Sequence, residues 1–168
     1  MFLIRQENLS DHAAVREVNL QAFNGDSEAQ LVDRLRSDGA VVTSLVALEG
    51  GEIVGHILFS NLSIEAEPPV LDAVSLAPMA VVPKCQHRGI GSALVQKGLE
   101  LCRQSGKTIV VVLGHPDYYP RFGFSAELAK RLHGPYSGNA WMAVELVSGA
   151  LDGVEGIVRY PDAFGLVS

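Results

Sequence analysis

A chain of 168 residues, 48% hydrophobic and 19% charged, has the composition of one globular domain with a sizeable core. A formal net charge of -6 without any basic tract argues against a nucleic-acid partner. No apolar segment reaches the length of a membrane span. Cys85 and Cys102 flank a predicted helix at a separation of ~25 Å, too far for an intramolecular disulfide. Reduced thiols and the lack of a signal peptide predict a cytoplasmic protein.

The N-terminal part of the chain predicts one strand followed by two helices. Phe2–Arg5 is a short apolar run typical of a strand. Ser10 is a candidate cap for a helix over Asp11–Phe23. The spacing Ser27-x-x-Gln30 is that of a capping box and predicts a second helix, which ends near Gly39.

Three apolar strands come next. Thr43–Leu48 and Ile53–Ser63 are joined through Gly50-Gly51, a strong hairpin signal because both glycines can adopt positive φ. Glu65–Pro69 predicts a polar turn, after which Asp72–Val82 predicts a third strand. We therefore expect three consecutive antiparallel strands in the first half of the chain.

A loop rich in hydrogen-bond donors, Lys84–Gly91, connects the third strand to an amphipathic helix over Gly89–Gln104. The first turn of a helix presents backbone N–H groups that have no partner inside the helix. Together with the positive end of the helix dipole and the Arg88 side chain, these groups favour an anion. Glycines also let the backbone approach a phosphate closely. The pattern predicts a pyrophosphate site formed by Arg88, Gly89, Ile90, Gly91 and Ser92.

The second half of the chain predicts a buried strand and a closing strand. Thr108–Leu113 is a continuous apolar run, typical of a strand covered on both faces. A right-handed crossover through the helix would place it parallel to the Asp72–Val82 strand. Asn139–Val147 predicts the closing strand, and Gly149–Ser168 predicts a tail packed on the domain.

Two motifs resemble those of the GNAT superfamily, the acyl-CoA-dependent N-acyltransferases. Gln86-x-x-Gly89-x-Gly91 between strand and helix resembles motif A, and Tyr119-x-x-x-Gly123-Phe124 resembles motif B in the Tyr-Tyr-x-Arg-Phe-Gly-Phe form of one bacterial subgroup. A dinucleotide fingerprint would need glycine at Leu94, and a Walker sequence is absent. The resemblance covers roughly residues 5–147. It implies a single α/β GNAT domain over 1–168, with a core about 2–147, about seven strands and helices on both faces.

The resemblance also implies residue roles. Acetyl-CoA would enter a gap between splayed strands near Met79, whose backbone N–H would polarise the thioester carbonyl. Tyr119, with a reference pKa of about 10, would donate a proton to the CoA thiolate. The family commonly has an asparagine at this point, and the resemblance implies that it contacts CoA. This chain has His115-Pro116-Asp117 there, so no asparagine is present to make the contact. The implied cofactor-binding residues are Met79, Ala80, Val81, Gln86, His87, Arg88, Gly89, Ile90, Gly91 and Ser92, with no metal.

The general base is left open by the sequence. Ser75 occupies the position at which some family members carry a glutamate, and serine can hold a water but cannot deprotonate an ammonium. The groups that could relay the proton through water are Asp72, Glu65, Glu28 and His115. An acceptor that arrives partly as free amine needs no strong base.

The predicted function is acetyl transfer from acetyl-CoA to a primary amine of a small molecule or peptide, by direct attack in a ternary complex. Neither cysteine lies in a motif with a histidine and an acid, which disfavours a covalent route. The alternatives are a non-catalytic acyl-CoA sensor, in which Tyr119 is a packed aromatic, and a transferase for another acyl group. The negative charge slightly favours cationic amines. A homodimer formed by C-terminal strand pairing is left open.

Overall fold

The computed structural model describes residues 1–66 and 70–165. Within these ranges, three α-helices are α1 (His12–Phe23), α2 (Ser27–Ser37) and α3 (Ile90–Gln104). The strands there are β1 (Leu3–Gln6), β2 (Val41–Glu49), β3 (Glu52–Ala66), β4 (Val70–Val81), β5 (Ile109–Leu113), β6 (Leu132–His133), β7 (Trp141–Glu145) and β8 (Gly156–Arg159). In these ranges no helix is both long and apolar enough to cross a membrane. Of the predicted turn Glu65–Pro69, residues 67–69 lie outside the described residues, and Glu65 and Ala66 belong to β3.

The strands form one mixed sheet in the order β1-β2-β3-β4-β5-β7. Neighbours from β1 to β4 are antiparallel, and Gly50 and Gly51 in the β2–β3 turn have φ of 59° and 82°. As predicted, β4 and β5 are parallel, with Val74 opposite Val110. The sheet has eight strands in the described ranges rather than about seven, because the tail supplies β8, which pairs with β3 and with the short β6.

Helices cover both faces of the sheet, as predicted. The alternation of side chains along β2 directs Leu45 and Ala47 into the cluster that contains α3, and Val46 into the cluster that contains α1 and α2. The helix α3 approaches β3 closely at Gly98, where a Cβ would lie 2.1 Å from Cε1 of Phe59. Any larger residue at Gly98 would therefore displace the central helix from the sheet.

The two N-terminal helices begin with different caps from those predicted. Ser10 does not cap α1; its hydroxyl donates to Oδ1 of Asn8 over 2.6 Å, and Asp11 precedes the helix. The Arg5 guanidinium binds both carboxylate oxygens of Asp11, at 2.7 and 3.0 Å, and lowers its pKa to about 2. Before α2, Asp26 rather than Ser27 is the cap residue, and it accepts a bond from the Gln30 amide over 2.9 Å. The predicted capping box at Ser27 is therefore absent, and a capping box occurs instead between Asn8 and Asp11, at the 3-10 turn Leu9–Asp11 before α1.

Candidate active site

A gap opens in the sheet between β4 and β5. Their pairing stops at Ser75 and Val111, although β4 continues to Val81. On its other edge β4 pairs with β3, where Met79 lies opposite Ile57 and Leu76 lies opposite Phe59. Between these two pairs β4 has one residue more than β3, which is a β-bulge around Pro78. Beyond Ser75 the edge of β4 toward β5 therefore has no strand partner in the described part of the sheet. A cleft of about 970 Å³ fills this gap.

Most of the predicted site residues line this cleft. Two parts of the chain meet there: the stretch from β4 into α3, and the loop that follows β5. Arg88 is the one predicted site residue that does not line the cleft. The predicted residues that line it are Ser75, Met79, Ala80, Val81, Gln86, His87, Gly89, Ile90, Gly91, Ser92 and Tyr119.

The N-terminus of α3 has the features of an anion site. The first bond inside the helix runs from the Ala93 N–H to the Gly89 carbonyl, at 3.0 Å, so the N–H groups of residues 90–92 have no partner within the helix. Gly89 has φ +88°, and a Cβ on it would meet no protein atom within 4 Å. The positive φ explains the glycine, and the open space leaves room for a ligand. At Gly91 a Cβ would lie 3.3 Å from Sδ of Met79, so the helix start and the β4 edge are in close contact.

Arg88 points away from this anion site. Its guanidinium binds both carboxylate oxygens of Glu49 in the β2–β3 hairpin, at 3.0 and 2.5 Å, and holds the Glu49 pKa below its ordinary value. The neighbouring Gln86 side chain donates to the Val81 carbonyl over 3.0 Å. Both side chains therefore fix the loop to the sheet, and contact between Arg88 and phosphate stays a prediction.

Tyr119 is buried, with 7% of its surface exposed, in a 3-10 turn over Tyr119–Phe122. Its ring packs on Gly114, where a Cβ would lie 2.3 Å from ring carbon Cε2. Burial raises the pKa of the hydroxyl to about 12, and the neighbouring Tyr118 adds to the shift. Tyr119 is therefore protonated at neutral pH, as a proton donor has to be.

Two residues beside Tyr119 line the cleft near the N-terminus of α3 and were not predicted as site residues. The Tyr118 hydroxyl lies 2.9 Å from Oγ of Ser92, in the first turn of α3. The guanidinium of Arg121 lies 4.5 Å from the centre of the Tyr118 ring, and its Nε donates to the Tyr118 carbonyl. Both belong to the Tyr-Tyr-x-Arg motif, but only packing of the turn against α3 shows where their side chains lie.

The candidates for proton relay divide into two groups. Glu28 and His115 line the cleft, whereas Asp72 and Glu65 do not. Asp72 pairs with Ser63 at the far end of β4, and Glu65 binds Nε of Arg159 at 3.3 Å. These two carboxylates are thereby removed from the set of relay candidates. Ser75 is buried and lines the cleft near Tyr160, where it partly offsets the rise that burial causes in the pKa of Tyr160.

The described residues hold no metal-binding cluster of three or more His, Cys, Asp or Glu side chains. Both cysteines are buried and unpaired with each other. Burial raises the pKa of Cys102 to about 12, so that its thiol is a poor source of nucleophilic thiolate.

A splayed sheet with a helix N-terminus beside the gap is an architecture shared with known acetyltransferases. Residues 12–124 match the acetyltransferase (GNAT) family. The chain is 36% identical over 165 residues to YhbS of Escherichia coli K12, named an uncharacterised N-acetyltransferase. The aligned residues cover 96% of this chain and 98% of YhbS.

Two solved structures share the whole architecture. That of Escherichia coli YhbS in complex with CoA has a TM-score of 0.90 at 34% identity, over 99% of this chain and 93% of YhbS. That of a GNAT family acetyltransferase from Brucella melitensis in complex with acetyl-CoA has a TM-score of 0.82 at 33% identity, over 98% of both chains. The chain belongs to the GNAT acetyltransferase family, which confirms the predicted superfamily and fold.

Proposed function

We propose that this protein transfers the acetyl group of acetyl-CoA to a primary amine by direct attack within a ternary complex. One observation carries the proposal. The same cleft is lined by the N-terminus of α3 with its unpaired N–H groups, by the unpaired edge of β4 and by the buried side chain of Tyr119. The family membership and the CoA and acetyl-CoA bound in two similar structures support the choice of cosubstrate.

The residues at the cofactor end fit acetyl-CoA. A pyrophosphate matches free helical N–H groups and the open space at Gly89. Arg121 and His87, which also line this end, add basic side chains. The β4 edge over Met79, Ala80 and Val81 offers backbone groups to the amides of a pantetheine arm. When bound, acetyl-CoA supplies an acyl group activated as a thioester.

The side chains and backbone of this protein would then serve one displacement. The Met79 N–H polarises the carbonyl oxygen. The amine nitrogen bonds to the carbonyl carbon, the carbon–sulfur bond breaks, and the sulfur takes a proton from Tyr119. The amine loses a proton to water held by Ser75, and Glu28 or His115 can receive it through the cleft. Tyr119 then takes a proton from solvent, which replaces the proton that it gave to the CoA sulfur.

The test combines calorimetric titration of acetyl-CoA with an assay of thiol release across a panel of amines. We expect binding, and release of CoA that depends on an added amine. Binding without release from any amine would leave a sensor instead of an enzyme. Undetectable binding would overturn the assignment of the α3 N-terminus as the pyrophosphate site.

The same assay identifies the acyl group. Succinyl-CoA and octanoyl-CoA are compared with acetyl-CoA at a saturating amine concentration. We expect the highest kcat/KM for acetyl-CoA, because Met79 packs against the start of α3 and narrows the cleft there. A higher value for either of the other two would replace acetyl by that acyl group in the proposal.

A further inference from the structure

The end of the cleft away from the α3 N-terminus has an aromatic wall. Tyr136, Tyr160 and Phe164 are half-buried and line the cleft, although they lie far from the motifs in the sequence. Ring centres are 5.7 Å apart for Tyr136 and Tyr160, and 4.8 Å apart for Tyr160 and Phe164. Three adjacent aromatic side chains that remain partly uncovered in a cavity are a binding surface for an apolar group.

This wall is rigidly supported. Trp141 lies behind it, with 3% of its surface exposed, and its ring centre is 5.9 Å from Tyr136. The indole N–H of Trp141 donates to the Leu132 carbonyl over 3.0 Å, which fixes the ring. At the other end, Ala163 is buried in the cluster that contains α1 and α2, and Phe164 packs against the same cluster. The aromatic wall is therefore preformed.

The charges along the cleft are unevenly placed. Arg121 lies over Tyr118, whose hydroxyl contacts Ser92, so this cation belongs to the cofactor end. The helix α2 lines the same cleft with Leu31, which packs against the same buried cluster as Phe164, and with Glu28. No ion pair involves Glu28 among the residues the structure describes, so its negative charge remains available to a cationic acceptor.

We propose that the acceptor is an arylalkylamine without a carboxylate, a class represented by phenethylamine. This inference rests on the proposed function. The aromatic ring of the acceptor packs edge-to-face against Tyr136, Tyr160 and Phe164. Glu28 attracts the ammonium form as it enters, and the acceptor end offers no lysine or arginine among the described lining residues to pair with an acceptor carboxylate.

The first experiment compares phenethylamine with phenylalanine, which differs by one carboxylate, and with putrescine, a dication without a ring. We expect kcat/KM for phenethylamine to exceed that for phenylalanine by about 100-fold, because an unpaired carboxylate would be desolvated. An equal or higher value for phenylalanine overturns the exclusion of carboxylates. A higher value for putrescine overturns the role of the aromatic wall.

A measurement of acceptor binding in the absence of reaction tests this inference separately from the proposed function. Phenethylamine is titrated into the protein saturated with CoA. We expect a dead-end ternary complex. If acetyl-CoA binds and another amine releases CoA, but phenethylamine neither binds nor reacts, the inference is wrong and the transferase proposal stands. If acetyl-CoA itself does not bind, the proposed function fails first.

A matched pair of variants tests the aromatic wall directly. Tyr136→Leu keeps apolar volume but removes the ring, and we expect KM for phenethylamine to rise about 5- to 10-fold with acetyl-CoA affinity unchanged. Tyr136→Phe keeps the ring and serves as the control, with KM expected within about 2-fold of the parent. Equal KM values for the two variants, with both folded by thermal melting, would remove Tyr136 from acceptor binding.

Discussion

The two ends of the cleft are built by different means. The cofactor end comes mainly from one continuous stretch, residues 75–92, and the groups it presents are largely backbone N–H and carbonyl groups. The acceptor end is assembled from α1 and α2, the segment around Tyr136 and the tail around Tyr160 and Phe164, and it presents side chains. In the proposed function, recognition of acetyl-CoA by backbone groups depends on glycines and a strand–loop–helix order, whereas recognition of the acceptor depends on which side chains meet in space.

This difference predicts separable effects of mutation. Changes at the cofactor end should weaken binding of acetyl-CoA whatever the acceptor is. Changes at the acceptor end should alter the choice of amine and leave the affinity for acetyl-CoA unchanged. A variant that mixes the two effects would show that the ends are coupled through the cleft.

The largest effect is expected from Gly89→Glu. Its side chain would place a negative charge in the open space at the N-terminus of α3, and we expect loss of acetyl-CoA binding by more than about 100-fold in calorimetry. Gly106→Glu is the matched control, because Gly106 also has positive φ, at +89°, and open space, but follows α3 at its other end. Similar losses in both variants would attribute the effect to backbone strain.

Tyr119→Phe tests the chemistry at the junction of the two ends. We expect kcat to fall by about 100-fold, with acetyl-CoA affinity nearly unchanged, because the variant loses the proton donor but keeps the packed ring. Tyr118→Phe, which loses only the bond to Ser92, should retain most of kcat. Since burial raises the Tyr119 pKa to about 12, its ionisation should not reduce kcat between pH 7 and 10. An unchanged kcat in Tyr119→Phe would eliminate it as the acid.

A smaller effect distinguishes the two arginines near the cofactor end. We expect Arg121→Ala to weaken acetyl-CoA binding by about 10-fold, because Arg121 lines the cleft beside Tyr118. Arg88→Ala should weaken it by less than about 3-fold, because Arg88 is paired with Glu49 outside the cleft. The reverse order would mean that Arg88 exchanges Glu49 for phosphate when the cosubstrate binds.

A further prediction concerns folding stability and the attachment of α1, which carries Phe23 to the acceptor end. Buried His56 lies between Asn19 of α1, at 3.2 Å, and Ser44, at 2.9 Å, and burial lowers its pKa to about 3. Below pH 6.5 the unfolded chain binds a proton that the folded chain does not. Stability is therefore retained above pH 6.5 and is lost as pH falls toward 3, by about 1.4 kcal/mol per pH unit.

Urea unfolding between pH 4.5 and 7 measures this dependence. His56→Gln should reduce the slope of unfolding free energy against pH, whereas His12→Gln serves as the control outside the buried contact. An identical slope in the parent and His56→Gln would show that other groups determine the acid sensitivity.

The sequence predicted most of the residues that line the cleft near the N-terminus of α3 and few of those at its other end. The glycines at 89 and 91, the strand before them and Tyr119 were predicted from local order, because a helix N-terminus forms the same anion site wherever it occurs. Arg88 was assigned to phosphate by charge alone, and the sequence could not show that Glu49, 39 residues earlier, folds next to it. Asp72 and Glu65 were proposed as proton relays on their charge as well. The charge of a residue does not show whether its place along the strand lies inside or outside the cleft.

By itself, the sequence determined the order of the three helices and of six of the eight described strands, the hairpin at Gly50-Gly51, the parallel β4–β5 pair and the family. These follow from hydrophobic periodicity and from turn residues that are neighbours in the chain. Tertiary structure alone decided that the tail returns as β8, that Ala163 packs on α2, and that Tyr136, Tyr160 and Phe164 form one wall. Contacts between distant segments depend on the packing of the whole core, which no local pattern encodes.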